Sequence, residues 1–242
     1  MSEPKSVKIS KRLNLDRLPR HIAIILDGNG RWATKRGLPR NVGHKAGCEN
    51  LKRILNHIKD LGINTTTLFL FSTENWKRPK DEIDGIFNIV KDYLNDTEDE
   101  LVKNGVKVVV SGDYTKLPQD IVASLDRILD KTKSCSTRKL NLAINYGGRN
   151  EILRAVNKAI ADGKTNIDER EFESLLYSNE LPPLDFVIRT SGEMRLSNFM
   201  LWQMAYSELY FTRTLWPDFS PKELQLALIN FQRRKRRFGN VN

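Results

Sequence analysis

Five consecutive apolar residues, Ile22–Leu26 (IAIIL), constrain the fold more than any other feature of this chain. A strand that is apolar at every position is buried on both faces, which happens where helices cover a parallel sheet from two sides. The same kind of run returns at Thr65–Phe71, Val106–Val110, Leu140–Asn145 and Leu184–Ile188, with a shorter one at Glu208–Phe211. Between these runs the apolar residues recur at helical spacing. Leu51, Ile54, Leu55, Ile58 and Leu61 share a face within residues 44–61, closed by Gly62. Ile83, Ile86, Phe87, Val90 and Leu94 do so from about Lys80 onward, and Ile121, Leu125, Ile128 and Leu129 after Pro118. Further helices are predicted over 150–161, 169–177 and 221–238, the last with proline at its start; Pro182-Pro183 ends the one before it. Strand and helix in alternation give an α/β fold: a largely parallel six-stranded sheet covered by helices on both sides. With 242 residues, 39% hydrophobic, and no repeat or linker, the chain reads as a single domain over 19–239, with a basic, flexible segment over 1–18 and a short tail over 240–242.

Charge is unevenly placed. Six Lys/Arg against Glu3 and Asp16 in residues 1–20, and the basic run at 233–237, hold nearly all of the net charge of +10. Basic ends suit loose contact with an anionic surface, or simply solvated termini. The amino terminus lacks the apolar core of a secretion signal and no apolar stretch is long enough to span a bilayer, so a cytoplasmic location, peripheral at the inner membrane surface, is expected. Cys48 and Cys135 have no metal-ligand spacing and are expected as free thiols.

Open parallel sheets bind ligands beyond the carboxyl ends of their strands. The segments there are polar: Asp27-Gly28-Asn29-Gly30-Arg31-Trp32 after the first strand, Ser72-Thr73-Glu74-Asn75-Trp76-Lys77-Arg78 after the second, and Arg189 to Asn198 after the fifth. Glycines beside Asn29 form a loop that lets backbone N–H groups approach an anion and leads toward a helix, although neither a dinucleotide fingerprint nor a P-loop is present. Arg31, Arg40, Arg78, Arg189 and Arg195 add guanidinium groups suited to phosphate oxygens. Asp27 in their midst is either a turn residue or the ligand of a hard cation such as Mg2+, which takes one or two carboxylates plus phosphate oxygens. Trp32 and Trp76 read as packing residues that also wall a pocket. His44 reads as a helix-start residue, a phosphate contact or a proton carrier; His21 and His57 carry no assigned role. The acidic run 96–100 lies away from the strand tips and reads as a solvated face.

HIAIILDGNGRWA, GHKAG at 43–47, FSTENWKRP, NYGGRNEI, DFVIRTSGEMRLSNF and the closing WQMAYSELYFT and LWPDF resemble the cis-prenyltransferases, bacterial undecaprenyl diphosphate synthases above all. The resemblance runs from about Pro19 to Gly239. It implies a homodimer that condenses isopentenyl diphosphate repeatedly onto an allylic diphosphate, farnesyl diphosphate as a rule, with Mg2+, to a long-chain polyprenyl diphosphate such as undecaprenyl diphosphate. It implies Asp27 as the metal-bearing carboxylate, with Gly28, Asn29, Gly30, Arg31 and Arg40 on the allylic diphosphate and His44 nearby. Arg189, Arg195 and Ser197, with Leu196 beside them, would hold isopentenyl diphosphate, and Glu208 would supply a second metal ligand across the dimer. Asn75 matches a position linked to condensation and proton loss. Ser72, Trp76 and Arg78 match substrate contacts, with Thr73 and Glu74 in the same loop. Thr73 and Ser191 depart from the commoner serine and glycine.

The growing chain requires an apolar cleft, for which Ile86, Phe87, Val90, Leu94, Val108, Val110, Leu142 and Ile144 are candidates alongside their use as core. Other readings predict other things. A nucleic-acid protein would interleave basic and aromatic residues on one face, whereas here the charge excess is terminal, so no nucleic-acid partner is expected. A phosphoryl-transfer enzyme would release phosphate without joining carbon chains. A trans-prenyltransferase would carry Asp-rich repeats, and an inactive partner subunit would lack the Asp27–Arg31–Asn75–Arg189–Arg195–Ser197–Glu208 set.

Overall fold

The computed structural model describes residues 10–235. Its strands are β1 (His21–Ile25), β2 (Thr65–Ser72), β3 (Val106–Ser111), β4 (Arg138–Tyr146), β5 (Phe186–Arg189) and β6 (Glu208–Phe211). They form one sheet in the order β3-β4-β2-β1-β5-β6, every neighbouring pair parallel. The helices are α1 (Asn29–Thr34), α2 (Arg40–Asp60), α3 (Lys80–Lys103), α4 (Gln119–Thr132), α5 (Gly148–Ala161), α6 (Glu169–Ser174) and α7 (Pro221–Arg233).

All five residues of β1 are buried, and the strand's alternation sorts them. Ile22 and Ile24 face a core made with Leu51, Ile54 and Ile58 of α2, Ile86, Phe87 and Leu94 of α3, Leu125 and Ile128 of α4, and Leu224 and Leu228 of α7. Ala23 and Ile25 face a second cluster with Tyr146, Val187, Phe199, Met200 and Met204. This second face is covered in large part by the turn-rich segment 197–207, with α5 and α6 packing beyond it. Truncating Ile24 to Ala would cost about 2–5 kcal/mol, the usual range for a filled core site.

Among the boundaries that differ from expectation, three stand out. The segment read as a loop leading toward a helix is itself a helix, α1. β5 begins at Phe186, and just before it Asp185 turns its side chain onto the Arg20 and His21 N–H groups. α7 ends at Arg233, where Arg234 is already extended, so the expected continuation to Phe238 stops short; Arg236 to Phe238, like residues 1–9, lie outside the described residues. Of the basic segment at the start, residues 10–18 hold to α7: Ser10 N–H donates to Gln225, Gln232 bonds the Asn14 backbone, and Leu13 enters the core. Within the acidic run, Asp99 is solvated, but Thr97 is buried and Glu98 pairs with Arg127 and Lys131 of α4.

Candidate active site

β1 and β5 are neighbours whose onward connections diverge: the chain leaves β1 toward β2 on one side and β5 toward β6 on the other. Such a divergence opens a crevice at the strand tips. Asp27 stands just past β1 and Arg189 ends β5, so the crevice begins with a carboxylate and a guanidinium. Arg189 Nη2 donates to Asp27 Oδ2 at 3.0 Å, and Arg31 Nη2, one helical turn on, donates to Oδ1 at 3.1 Å. Burial works against the Asp27 charge, but the hydrogen bonds from Arg189 and Ser191 and the two guanidinium charges outweigh it and hold its pKa below the usual carboxylate value. The arginine from the strand tip is almost fully buried, its side chain 4% exposed.

Gly28 caps α1 with φ +115°, a conformation that L side chains rarely adopt, and this lets the helix start two residues past Asp27. α1 then lies hard against α2: a Cβ at Gly43 would sit 2.0 Å from the Asn29 carbonyl oxygen. Asn29 Oδ1 is buried there without a hydrogen-bond partner, as is Nε of Arg189. Unpaired buried polar atoms are costly and call for an account, and a ligand is one.

The loop after β2 is a 3-10 turn, Thr73–Lys77, capped by reciprocal bonds between Ser72 and Asn75. Glu74 accepts from Asn198 of the loop after β5 at 2.8 Å, tying two rim segments together. Next to it Glu82, in the first turn of α3, accepts from Arg40 Nε (3.0 Å) and Nη2 (3.2 Å) and from Arg78 Nη1 (3.0 Å), with His44 Nε2 at 3.3 Å. Burial opposes the Glu82 charge, yet the Arg40 bond and the Arg78 and Arg40 charges keep its pKa low. His44 is depressed chiefly by burial, helped by Arg78 and Arg40 and opposed by Glu82.

The loop after β5 holds four non-glycine residues at positive φ: Ser191, Ser197, Asn198 and Met200. Strain of that kind persists where surroundings over-determine it. Ser191, where the resemblance leads glycine to be expected, has φ 83°, a backbone conformation that suits glycine. Its hydroxyl instead accepts from Arg31 at 2.6 Å. Arg189 Nη1 donates to Ser197 Oγ at 2.8 Å and also reaches the Arg195 carbonyl. The Arg195 side chain is solvent-facing and paired with Glu193, which also takes Arg31.

These rim groups surround the mouth of a cavity of about 610 Å³ between α2 and α3. Asp27, Gly28, Asn29, Gly30, Arg31, Arg40 and His44 line it, as do Ser72, Glu74, Asn75, Arg78, Arg189, Arg195 and Ser197. Deeper in, the wall is apolar: Leu51 from α2, Ile86, Ile89, Val90 and Leu94 from α3, Phe69, Phe71 and Leu142 from the sheet. Of the expected cleft residues, Phe87, Val108, Val110 and Ile144 are packed into the core around it instead. Trp32 bonds Asp218 under the Arg36 guanidinium, outside the lining. Trp76 packs on Phe71 and Phe87 and donates to Asn145, Thr73 bonds Glu74, and Leu196 packs under the second face. Glu208 begins β6 level with Phe186 and Ile22, so it sits at the opposite end of the strands from Asp27, paired with Arg234. An ion at Asp27 therefore takes no oxygen from the same chain's Glu208. Sequence reasoning passed over Glu82, Glu193, Asn198, Tyr93 and Cys48; the Cys48 thiol, pushed up to about 11 chiefly by burial, lines the cavity in its neutral form.

A family model described as "Putative undecaprenyl diphosphate synthase" matches residues 25–239. The chain belongs to that family. This prenyltransferase is 47% identical over 224 residues to an isoprenyl transferase of Fusobacterium nucleatum subsp. nucleatum, covering 93% of this chain and 97% of the other. It is 48% identical over 225 residues to one of Aquifex pyrophilus, with the same coverage. Among solved structures it resembles lavandulyl diphosphate synthase from Lavandula x intermedia in complex with dimethylallyl diphosphate (TM-score 0.88, 35% identity, 93% of this chain, 100% of that one). It also resembles a probable undecaprenyl diphosphate synthase from Campylobacter jejuni (TM-score 0.78, 34% identity, 92% and 99%).

Prenyltransferases as a class generally use a divalent metal. Among the described residues no group of three or more His, Cys, Asp or Glu side chains comes together to cage an ion. One ionised carboxylate, Asp27, opening onto an arginine-rich rim is nonetheless a donor set that suits Mg2+, which is commonly held by one or two carboxylates with substrate phosphates and water. None of the helices among the described residues is long and apolar enough to cross a membrane.

Proposed function

We propose that this prenyltransferase adds isopentenyl diphosphate units in sequence to an allylic diphosphate primer, farnesyl diphosphate, forming cis double bonds and releasing a long-chain polyprenyl diphosphate such as undecaprenyl diphosphate. One observation carries the reading: an ionised carboxylate between two guanidiniums stands at the mouth of a cavity that turns apolar with depth. A substrate with a doubly charged head and a hydrocarbon tail matches both halves. Asp27 would hold Mg2+ together with diphosphate oxygens, the ion supplying charge neutralisation for the leaving group, and Glu208 of a second copy would be its other carboxylate.

The chain's own residues would do the following. Gly28, Asn29 and Gly30 would present backbone N–H groups to the allylic diphosphate, with Arg31 and Arg40 as charged clamps. When the allylic C–O bond breaks, negative charge builds on those oxygens, so donors already in place favour the transition state over the ground state. Arg189, Arg195 and Ser197 would hold the second diphosphate beside the first. Fixing two reactants side by side is worth about 7–11 kcal/mol in favourable cases. Asn75, locked by its bond to Ser72 N–H, would face the condensing carbons. The apolar depth keeps water from the allylic cation.

Incubation with radiolabelled isopentenyl diphosphate, farnesyl diphosphate and Mg2+, followed by sizing of the products, tests the reading: a ladder of prenyl products is expected, and release of phosphate without chain joining overturns it. The basic ends would touch anionic lipid at a membrane surface. Unchanged binding to anionic liposomes after neutralising residues 233–237 would remove that part.

A further inference from the structure

The segments that follow β2, β4 and β5 meet at Asn198. Its backbone carbonyl accepts from Gly148 N–H at 2.6 Å and its Oδ1 from Arg149 N–H at 2.9 Å, both in the first turn of α5. Its Nδ2 donates to Glu74 Oε1 at 2.8 Å, in the turn after β2. The approach is close. A Cβ on Gly147, just before α5, would come within 2.7 Å of both Asn198 Nδ2 and Thr73 Oγ1, so the bare backbone of a glycine is what lets the three segments touch. Ser197 and Asn198 are consecutive residues at positive φ, 50° and 62°. Asparagine tolerates that region better than most residues, and the kink sends the two side chains to different partners: Ser197 Oγ to Arg189, Asn198 to Glu74 and α5. Burial works against the charge on Glu74, but hydrogen bonds, that from Asn198 foremost, hold its pKa below the usual carboxylate value.

We propose that Asn198 is a positioning residue for the condensation: it fastens the turn that carries Asn75 to the segment that carries Arg195 and Ser197, and so fixes where the second diphosphate sits relative to the condensing carbons. The proposal rests on the elongation reading above, in which those two segments serve one isopentenyl diphosphate. Asn75 adjoins Glu74 and Ser197 adjoins Asn198, so the Glu74–Asn198 bond lies one residue from each of the groups it relates. Misplacing reacting groups by about 1 Å costs on the order of 10²-fold in rate, which gives one bond between two loops its leverage. The bonds at this junction involve neither α1 nor Arg40, which would hold the primer.

The test is a double-mutant cycle on the full chain with farnesyl diphosphate, isopentenyl diphosphate and Mg2+. Asn198→Asp keeps an acceptor for Arg149 N–H, where negative charge suits a helix start, and keeps a residue type that tolerates positive φ. It replaces the donor with a carboxylate that repels Glu74, so kcat/KM for isopentenyl diphosphate should fall about 10- to 100-fold. The Michaelis constant for farnesyl diphosphate and the denaturant midpoint should hold, a split that general loss of structure does not give. Glu74→Gln places a donor opposite the new carboxylate and reverses the direction of the bond. In the Glu74→Gln background, Asn198→Asp should therefore cost roughly threefold at most. Equal penalties in the two backgrounds, or no penalty in either, overturn the proposal alone. If Asn198→Asp does not fold, Glu74→Ala reads the same bond from the other loop: kcat/KM for isopentenyl diphosphate should fall while the primer's Michaelis constant holds, and an unchanged kcat/KM overturns the proposal. A wild type that joins no isopentenyl units overturns the elongation reading, and the proposal with it.

Discussion

Around β1 and β5, the two ends of the same sheet treat buried polar groups in opposite ways. At the amino ends of the strands, His21 has 2.9 Å from Nδ1 to the Pro182 carbonyl and 2.7 Å from Nε2 to Thr67 Oγ1, while Asp185 accepts the Arg20 and His21 N–H groups. Those groups are satisfied within the protein. At the carboxyl ends, Asn29 Oδ1 and Arg189 Nε are buried and unpaired, four residues of one loop sit at positive φ, and Asp27 is kept ionised at an open mouth. Hydrogen-bond capacity left open is a stability cost, which Asn29 and Arg189 bear at the carboxyl end and the His21–Asp185 group avoids at the amino end, where Arg138 Nε at the start of β4 is a buried atom left unpaired. Changes at the first should therefore appear in turnover and changes at the second in unfolding.

Asp27→Ala is the sharpest way to break that contrast. It removes the charge that Arg31 and Arg189 face, and turnover should fall by at least about 10²–10³-fold, the scale seen when one preorganised electrostatic group is lost. The variant should still unfold in one cooperative transition. Steady-state kinetics beside circular dichroism would check both halves; full activity would end the assignment of Asp27 as the metal-bearing carboxylate.

His21 tests the opposite end. Burial depresses its pKa to about 4, against partial opposition from the Pro182 carbonyl and the Asp185 charge. The unfolded chain binds a proton near pH 6.5 that the folded protein refuses until about pH 4, so stability falls as pH drops through that window. At 1.36 kcal/mol per pKa unit the loss is on the order of 3 kcal/mol. His21→Gln lacks this titration, and the stability advantage of the wild type over the variant should shrink by about that amount between pH 7 and pH 4. Denaturant midpoints measured across the window decide it, because Asp27, His44 and His57 are present in both proteins. A constant gap would show that His21 is protonated as readily folded as unfolded.

Legibility in the sequence followed the same division. Ile22–Leu26 announced a doubly covered strand because burial on both faces leaves no polar alternation to confuse the reading. The rim residues were legible because five arginines fall on or beside the strand tips around Asp27, a concentration of charge that turns do not need. α1 was hidden because Gly28 and Gly30 read as a loop, while the helix they start is held by contact with α2, a long-range fact. His21 looked unremarkable in sequence, since its partners Thr67, Pro182 and Asp185 are distant. Glu82 looked like any acid in a first helical turn until two arginines and a histidine from two other segments met on it. Tyr93 carried no signal at all, because an aromatic at helical spacing is first a core residue.

Arg195→Ala sharpens the contrast within the carboxyl end itself. Its guanidinium is mostly exposed and engaged only with Glu193, unlike the buried Arg189. Charge-assisted hydrogen bonds are worth about 1.5–3 kcal/mol, and exposure puts this one at the low end, so the Michaelis constant for isopentenyl diphosphate should rise roughly tenfold. The turnover number and the denaturant midpoint should barely move. An unchanged Michaelis constant would remove Arg195 from that diphosphate.

Glu82 is the carboxylate at the functional end whose bonds are already closed, and so it predicts the smallest effect. Its partners come from the start of α2 (Arg40, His44) and from the loop after β2 (Arg78), and Glu82 itself opens α3, so it fastens three segments at the cavity mouth. One possibility is that it competes with a bound diphosphate for the same guanidiniums; the other is that it aims them. Arg40 reaches it through two nitrogens, which leaves the remaining guanidinium N–H groups, with those of Arg78, directed by the clasp toward the mouth they line. Aiming is the expected role. Glu82→Gln keeps the shape and one acceptor oxygen while removing the charge, and should raise the Michaelis constant for the allylic diphosphate about two- to fivefold, in keeping with the ~0–1 kcal/mol typical of partly exposed pairs. Because Glu82 is what raises the pKa of His44 against its burial, any activity limb due to His44 should move to lower pH in the variant. A Michaelis constant that falls instead would identify Glu82 as a competitor for the diphosphate, and the carboxyl end would then hold one charge that ligand binding must displace.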